Sequence, residues 1–166
     1  ETGWGHIYRQ DLESGEARQL TAGEAEHGWP AWAQGMRTFT ETASGTVVAI
    51  RQDRGFHTLV AITPTGVSRD LGEHLPGCNA FTAPAASRAG ETVAVIATGG
   101  KQPPRVITID LAGASPRVSI RRRSDGETVA AGALSTPEPV AWTSFDGAEA
   151  YGLYYPPANE HFEGSG

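Results

Sequence analysis

The sequence predicts an all-β chain organised as part of a β-propeller, and three observations carry that expectation. A strand–turn–strand pattern returns three times, at Ile7 to Thr21, Thr58 to Leu71 and Arg105 to Ile120. Within each copy, polar and apolar residues alternate with the period of two that a half-buried strand needs. There are also 21 glycines and 11 prolines among the 166 residues; that is roughly a fifth of the chain, against about 12% in average usage. Helices tolerate such a composition badly.

Each element of the repeat has its own justification. Ser14-Gly15, Thr65-Gly66 and Gly113 put glycine in the turns, where φ > 0 costs least, so each copy reads as a hairpin. Thr46 to Arg51 and Glu91 to Thr98 precede the second and third hairpins and add an inner strand to the same unit. The unit is about 50 residues long, inside the range of propeller blades. A four-stranded blade is buried on both faces by its neighbours, which accounts for short apolar strands separated by glycine-rich turns. A β-sandwich is the competing all-β architecture. At that repeat length the chain holds about three blades, whereas closed propellers have four to eight. Three blades do not close a ring, and no polar capping element ends the array, so the missing blades are expected from elsewhere.

Composition excludes several function classes. The net charge of −6 removes the basic field that drives nucleic-acid binding, so DNA, RNA and anionic membranes are not expected partners. Cys78 is the single cysteine, which rules out an internal disulfide and a thiolate metal site. The most continuous apolar runs are Thr92 to Ala97 and Leu59 to Ile62, far short of the roughly 18 residues of a membrane span. A soluble chain, cytoplasmic or periplasmic, is expected. Glu1 to Tyr8 has neither a basic stretch nor an apolar one like those of a secretory signal, and the chain reads as an excised piece or a trimmed product.

The last stretch departs from the repeat. Ser135 to Pro139 forms a rigid proline-rich connector. Asp146-Gly147 is a strong hairpin-turn dipeptide that separates Val140 to Ser144 from Ala150 to Tyr155. Pro156-Pro157 ends this hairpin, and the sequence after it trails off in small polar residues.

The string from Thr136 to Pro157 resembles the junction between the β-propeller and the α/β-hydrolase domain in the prolyl oligopeptidase family of serine peptidases, in its acylaminoacyl-peptidase and dipeptidyl-aminopeptidase-like branch. There the hydrolase domain opens with a hairpin whose pattern is matched here by Ser144, Asp146, Gly147, Gly152 and Pro156. The segments Gly3 to Thr21 and Glu26 to Phe39 are similar to propeller strands of the same branch, with Gly5 standing where those proteins usually carry a second bulky residue. The resemblance implies a partial propeller over residues 1–134, a linker over 135–139 and, over 140–166, the first hairpin of a truncated α/β-hydrolase domain.

It also implies where the chemistry is not. The family's nucleophilic serine sits in a Gly-x-Ser-x-Gly elbow, followed by the aspartate and the histidine, all downstream of the junction. No serine here has glycines two positions to either side, and Gly164-Ser165-Gly166 has the wrong spacing. No catalytic residue, no cofactor-binding residue and no metal ligand is therefore assigned, and no cofactor is expected. His6, His27, His57, His74 and His161 are scattered without ligand spacing and read as surface or turn residues. Glu24 and Glu26 beside His27 suit acid–base work or capture of a substrate amine, but read first as a solvated turn before Trp29-Pro30. Arg121 to Arg123 can grip a substrate carboxylate or phosphate; as a charged outer strand they would instead block edge pairing. Trp4, Trp29, Trp32 and Trp142 suit packing between blades or domains more than ring stacking on a ligand. Cys78 has no cationic neighbour in sequence to activate a thiolate.

The expected function is that of a non-catalytic propeller portion of a serine peptidase that hydrolyses short peptides, limiting access to the active site. Its expected partners are the remaining blades and the hydrolase domain of the parent protein, and, in that parent, a short peptide substrate. The alternative is a stand-alone propeller acting as a binding or scaffold module that closes by oligomerising.

Overall fold

The computed structural model describes residues 3–30, 32, 34–126 and 128–159; His161 and the Gly164–Gly166 stretch lie outside them. Strands β1 (Tyr8–Gln10) and β2 (Ala17–Gln19) form a two-stranded ribbon. A four-stranded meander follows, comprising β3 (Phe39–Glu41), β4 (Val47–Asp53), β5 (Phe56–Ile62) and β6 (Ser68–Asp70). The second meander has the same order: β7 (Ala80–Ala86), β8 (Thr92–Gly99), β9 (Gln102–Asp110) and β10 (Arg117–Arg123). A separate hairpin, β11 (Glu138–Thr143) and β12 (Glu149–Tyr154), closes the described chain. Every pairing is antiparallel. The result is a partial propeller: two complete blades, an incomplete third represented by β1 and β2, and the trailing hairpin.

The three repeated hairpins occupy equivalent places, as β1–β2, β5–β6 and β9–β10. The two inner strands read from the sequence are β4 and β8. The first strands β3 and β7 went unread because they lack an apolar alternation. Phe39 is exposed, and β7 is broken by a bulge between Thr82 and Ala85 that carries the buried Pro84. A proline cannot donate to the ladder, so a bulge is where a strand tolerates one.

Strands β4 and β5 are buried on both faces, and their side chains alternate between two cores. Val48, Ile50 and Leu59 join Phe81, Val95 and Ile107 of the next blade in one cluster. Val47, Ala49, Val60 and Ile62 turn the other way, onto Ile7. Each such side chain contributes about 1.5–3 kcal/mol, while an exposed ion pair contributes about 0–1 kcal/mol. Face-to-face burial therefore holds the blades together.

The meanders give the molecule two ends. At the far end lie the β1–β2, β3–β4, β5–β6, β7–β8 and β9–β10 turns. At the other, the junction end, lie the β4–β5 and β8–β9 turns, the segments that lead from blade to blade, the linker and the β11–β12 hairpin.

Candidate functional site at the junction end

The β4–β5 turn is tight, with Arg54 at φ 48° and Gly55 at φ 85°. Both central residues are left-handed, as a two-residue hairpin loop demands; an arginine there is held at a cost in backbone strain. The turn thereby aims Arg54 at the trailing hairpin, where its guanidinium lies 5.9 Å from the centre of the Tyr151 ring. Gly55 sits under Leu153, so closely that a Cβ would press on its side chain at 3.3 Å. Blade and hairpin enclose a cavity of about 590 Å³ lined by Trp4, Glu24, Glu26, Asp53, Arg54 and Tyr151. The Tyr151 hydroxyl donates to the Glu149 carboxylate, which holds the phenol's proton above its ordinary range.

Glu24 and Glu26 do reach one cavity, but they are not equivalent. Glu24 is exposed. The Glu26 carboxylate is half-buried and accepts hydrogen bonds from the Gly28 amide (2.9 Å) and the Gly5 amide (3.2 Å). Its backbone bridges to Gln52 on β4. A Cβ on residue 5 would overlap that carboxylate, so Gly5 is the residue that makes room for Glu26. The solvated-turn reading thus fails for Glu26, which ties the opening segment to the 26–28 turn.

Histidine placement corrects the reading of all five as surface or turn residues. His27 is 4% exposed, and its ring stacks obliquely on His6 at 6.1 Å. Burial pushes the His27 imidazole below the ordinary histidine value, and its Nδ1 has no partner among the described residues. His57 is also depressed by burial; its ring packs on Trp29 at 5.6 Å and its Nδ1 accepts from the Phe81 amide at 3.4 Å. Sequence reasoning missed both because packing between segments distant in sequence buries His27 and half-buries His57.

A second cavity, of about 560 Å³, opens between the two complete blades and the linker, with Phe56, Cys78, Asn79, Lys101 and Pro137 on its walls. Glycine is required here twice. A Cβ on Gly99 would overlap the Gly77 carbonyl, and one on Gly100 would overlap the Ser135 carbonyl and crowd Pro137. The Cys78 thiol donates to Gln102 Oε1 at 3.3 Å, and burial raises its pKa. That is an inert thiol, the opposite of an activated nucleophile.

The remaining candidates are dispersed. Arg121, Arg122 and Arg123 end β10, the outermost strand of its sheet, and all three are exposed. Trp29 packs on the inter-blade core, Trp4 lines the first cavity, Trp142 lies over Gly152, and Trp32 is 83% exposed. Among the described residues no three His, Cys, Asp or Glu side chains gather as a metal site, and no helix is long and apolar enough to cross a membrane. What the junction end offers chemically is a polar wall: three carboxylates, one guanidinium and aromatic rings around an open cavity.

Repeated four-stranded meanders define part of a propeller, with a hairpin docked on one end of it. The comparisons with known proteins agree. A serine-to-alanine mutant of puromycin hydrolase complexed with PGG superposes with a TM-score of 0.80 at 25% identity, over 98% of this chain and 24% of that one. A puromycin-hydrolyzing peptidase from Mycobacterium tuberculosis gives 0.80 at 24% identity, over 96% and 23%. The chain therefore spans about a quarter of the length of these solved structures. No protein-family model and no curated protein matches the sequence. The structural neighbours are peptidases of the prolyl oligopeptidase family, and the resemblance read from the junction string stands: this chain is similar to the propeller-and-junction portion of that family.

Proposed function

We propose that this chain is the non-catalytic propeller portion of a serine peptidase acting on short peptides, divided into blades over 1–134, a linker over 135–139 and the opening of a hydrolase domain from 140. In that protein its junction end walls the active site and limits the size of substrate that enters. The observation that carries the reading is the seating of linker and hairpin on the same end of both blades. Gly100 receives Ser135 and Pro137, while Gly55 and Arg54 receive Leu153 and Tyr151. A domain continuing from the hairpin would face both cavities, and a peptide reaching it would pass their rims. Similarity to a puromycin hydrolase supports small substrates.

The test uses the full-length protein. A fluorophosphonate probe should label one serine beyond residue 166 and none within 1–166. Tyr151→Ala, which opens the first cavity, should leave kcat/KM on an aminoacyl nitroanilide within about threefold and raise it on a ten-residue peptide by about tenfold. Labelling inside this chain, or an unchanged preference for length, overturns the proposal.

A further inference from the structure

The two cavities of the junction end carry opposite charge. Around the first stand Glu24, Glu26 and Asp53 against the single guanidinium of Arg54. Around the second, no carboxylate stands among the described lining residues, and the one charged group is the Lys101 ammonium. In a chain of net charge −6, the second cavity is therefore where this end accepts an anion without repulsion from the walls themselves.

A second observation gives the form of that anion. Lys101 sits in the turn between β8 and β9, Asn79 immediately before β7 and Thr136 in the linker. Among the described residues, none of these three side chains has a hydrogen-bond or ion-pair partner. An ammonium, a carboxamide and a hydroxyl, all able to donate, thus border one space. Gln102 differs, because its amide is already engaged: Nε2 donates to the Pro76 carbonyl at 2.9 Å and Oε1 accepts from the Cys78 thiol at 3.3 Å. Asp125 lies on a smaller cavity that Lys101 also borders, and no ion pair joins the two. The rest of the wall is apolar, with the Phe56 ring, Pro76 and Pro137. A volume of about 560 Å³ falls within the range of about 300–1,000 Å³ that holds a small ligand, and apolar walls with a few convergent donors are how such a site fixes one.

We infer that the second cavity is a subsite for an apolar group bearing a carboxylate, which in the peptidase read above is the C-terminal residue of a short peptide. Naming the peptide end rests on the proposed function; the chemistry of the site does not. A carboxylate accepts from all three groups, from Lys101 as a point charge on a flexible stem and from Asn79 and Thr136 as neutral donors. Its apolar body lies against Phe56 and the prolines. An amidated end loses the charge-assisted contact, and an ammonium meets Lys101 as a like charge.

The experiment reads binding and turnover separately in the full-length protein. The binding probes are 3-phenylpropionate and its amide, titrated at low ionic strength and followed by ligand-observed NMR. The acid should bind about fivefold more tightly than the amide, and at saturation it should slow maleimide labelling of Cys78, which lines the same cavity. Lys101→Met, which keeps the stem and removes the charge, should erase the preference, and Asn79→Ala should reduce it by about half. Arg54→Gln, at the first cavity, should leave the preference and the Cys78 protection unchanged. For turnover, kcat/KM on a tripeptide ending in phenylalanine should exceed that on its C-terminal amide by about fivefold, through KM, and the two should become equal in Lys101→Met. Equal affinity for acid and amide, a preference that survives Lys101→Met, or Cys78 labelling unmoved by the acid overturns the subsite. A binding preference with no turnover preference assigns the cavity to a free carboxylic acid and overturns the peptide end. The fluorophosphonate result is a separate readout: no labelled serine together with Lys101-dependent binding of the acid defeats the peptidase reading and leaves the subsite standing.

Discussion

The two ends of this molecule join the same strands through different turns and are held differently. At the far end the turns are cross-tied between blades. Glu91, in the β7–β8 turn, accepts from the Thr42 hydroxyl at 2.7 Å and from the Ser44 amide and hydroxyl in the β3–β4 turn. Arg9 pairs with Glu41 and donates to the Gly45 carbonyl at 2.8 Å. At the junction end polar ties such as Phe81 N–H to His57 Nδ1 stand beside close backbone approach around glycines, two open cavities and a hairpin resting on the rim. Polar ties on exposed turns add little energy but fix the register of neighbouring blades. Glycine contacts leave space that side chains would fill, which suits an end on which, in the proposed reading, another domain docks.

The sharpest way to break this comparison is to fill one of those glycine contacts. Gly99→Ala would drive a methyl into the Gly77 carbonyl, backbone against backbone, with no side chain able to yield. Overpacking of this kind costs about 1–3 kcal/mol or more, so the full-length protein should lose several degrees of Tm. The second cavity should also distort, which faster maleimide labelling of half-buried Cys78 would report. A Tm and a labelling rate equal to the unaltered protein's would show that the junction end is looser than its geometry.

A smaller effect is expected at the far end. Glu91→Gln keeps the size of the side chain but weakens the hydrogen bonds from Thr42 and Ser44, at about 1 kcal/mol. Cys78 labelling should not change, because the far-end ties do not reach the cavities. Altered labelling with this variant would mean that the two ends are coupled.

How much of this was legible in the sequence follows from what each feature depends on. Strands β4, β5, β8 and β9 were readable because Val, Ile and Leu recur in them at strand spacing. The β11–β12 hairpin was readable from Asp146-Gly147, and Gly147 does adopt φ 85°. The short strand β3 and the bulged strand β7 were not, since their pairing comes from neighbours and not from their own pattern. The junction cavities were invisible for a like reason. Trp4, Glu26, Arg54 and Tyr151 are up to 147 positions apart, and only the stacking of blades brings them together. Gly5 read as a departure from the family, and its reason lay 21 residues away in the Glu26 carboxylate.

The finest test separates the ends by pH. The buried His27 and the half-buried His57 both lie at the junction end, and desolvation lowers the proton affinity of each. Around His27 stand His6 and Arg51, which oppose its protonation, and Glu26, which favours it. A histidine depressed in the folded state is neutral in both states above about pH 6.5 and has no pH-dependent effect there. As pH falls below that value, the unfolded chain takes up protons that the folded chain refuses, and stability is lost. Glu91 works in the other direction along the scale: its carboxyl is held below the ordinary range by the Thr42 and Ser44 hydroxyls, so its tie persists until pH falls below the usual glutamate value. Acidification from pH 7 to 5 should therefore lower the protection factor of the His27 amide, whose N–H donates to the Gly5 carbonyl, once rates are corrected for the slower intrinsic exchange in acid, while the protection factor of the Ser44 amide holds. His27→Gln should flatten the junction-end response and leave Ser44 unaffected. Both amides loosening together between pH 7 and 5, or His27 remaining fully protected at pH 5, would refute the assignment of acid sensitivity to the junction end.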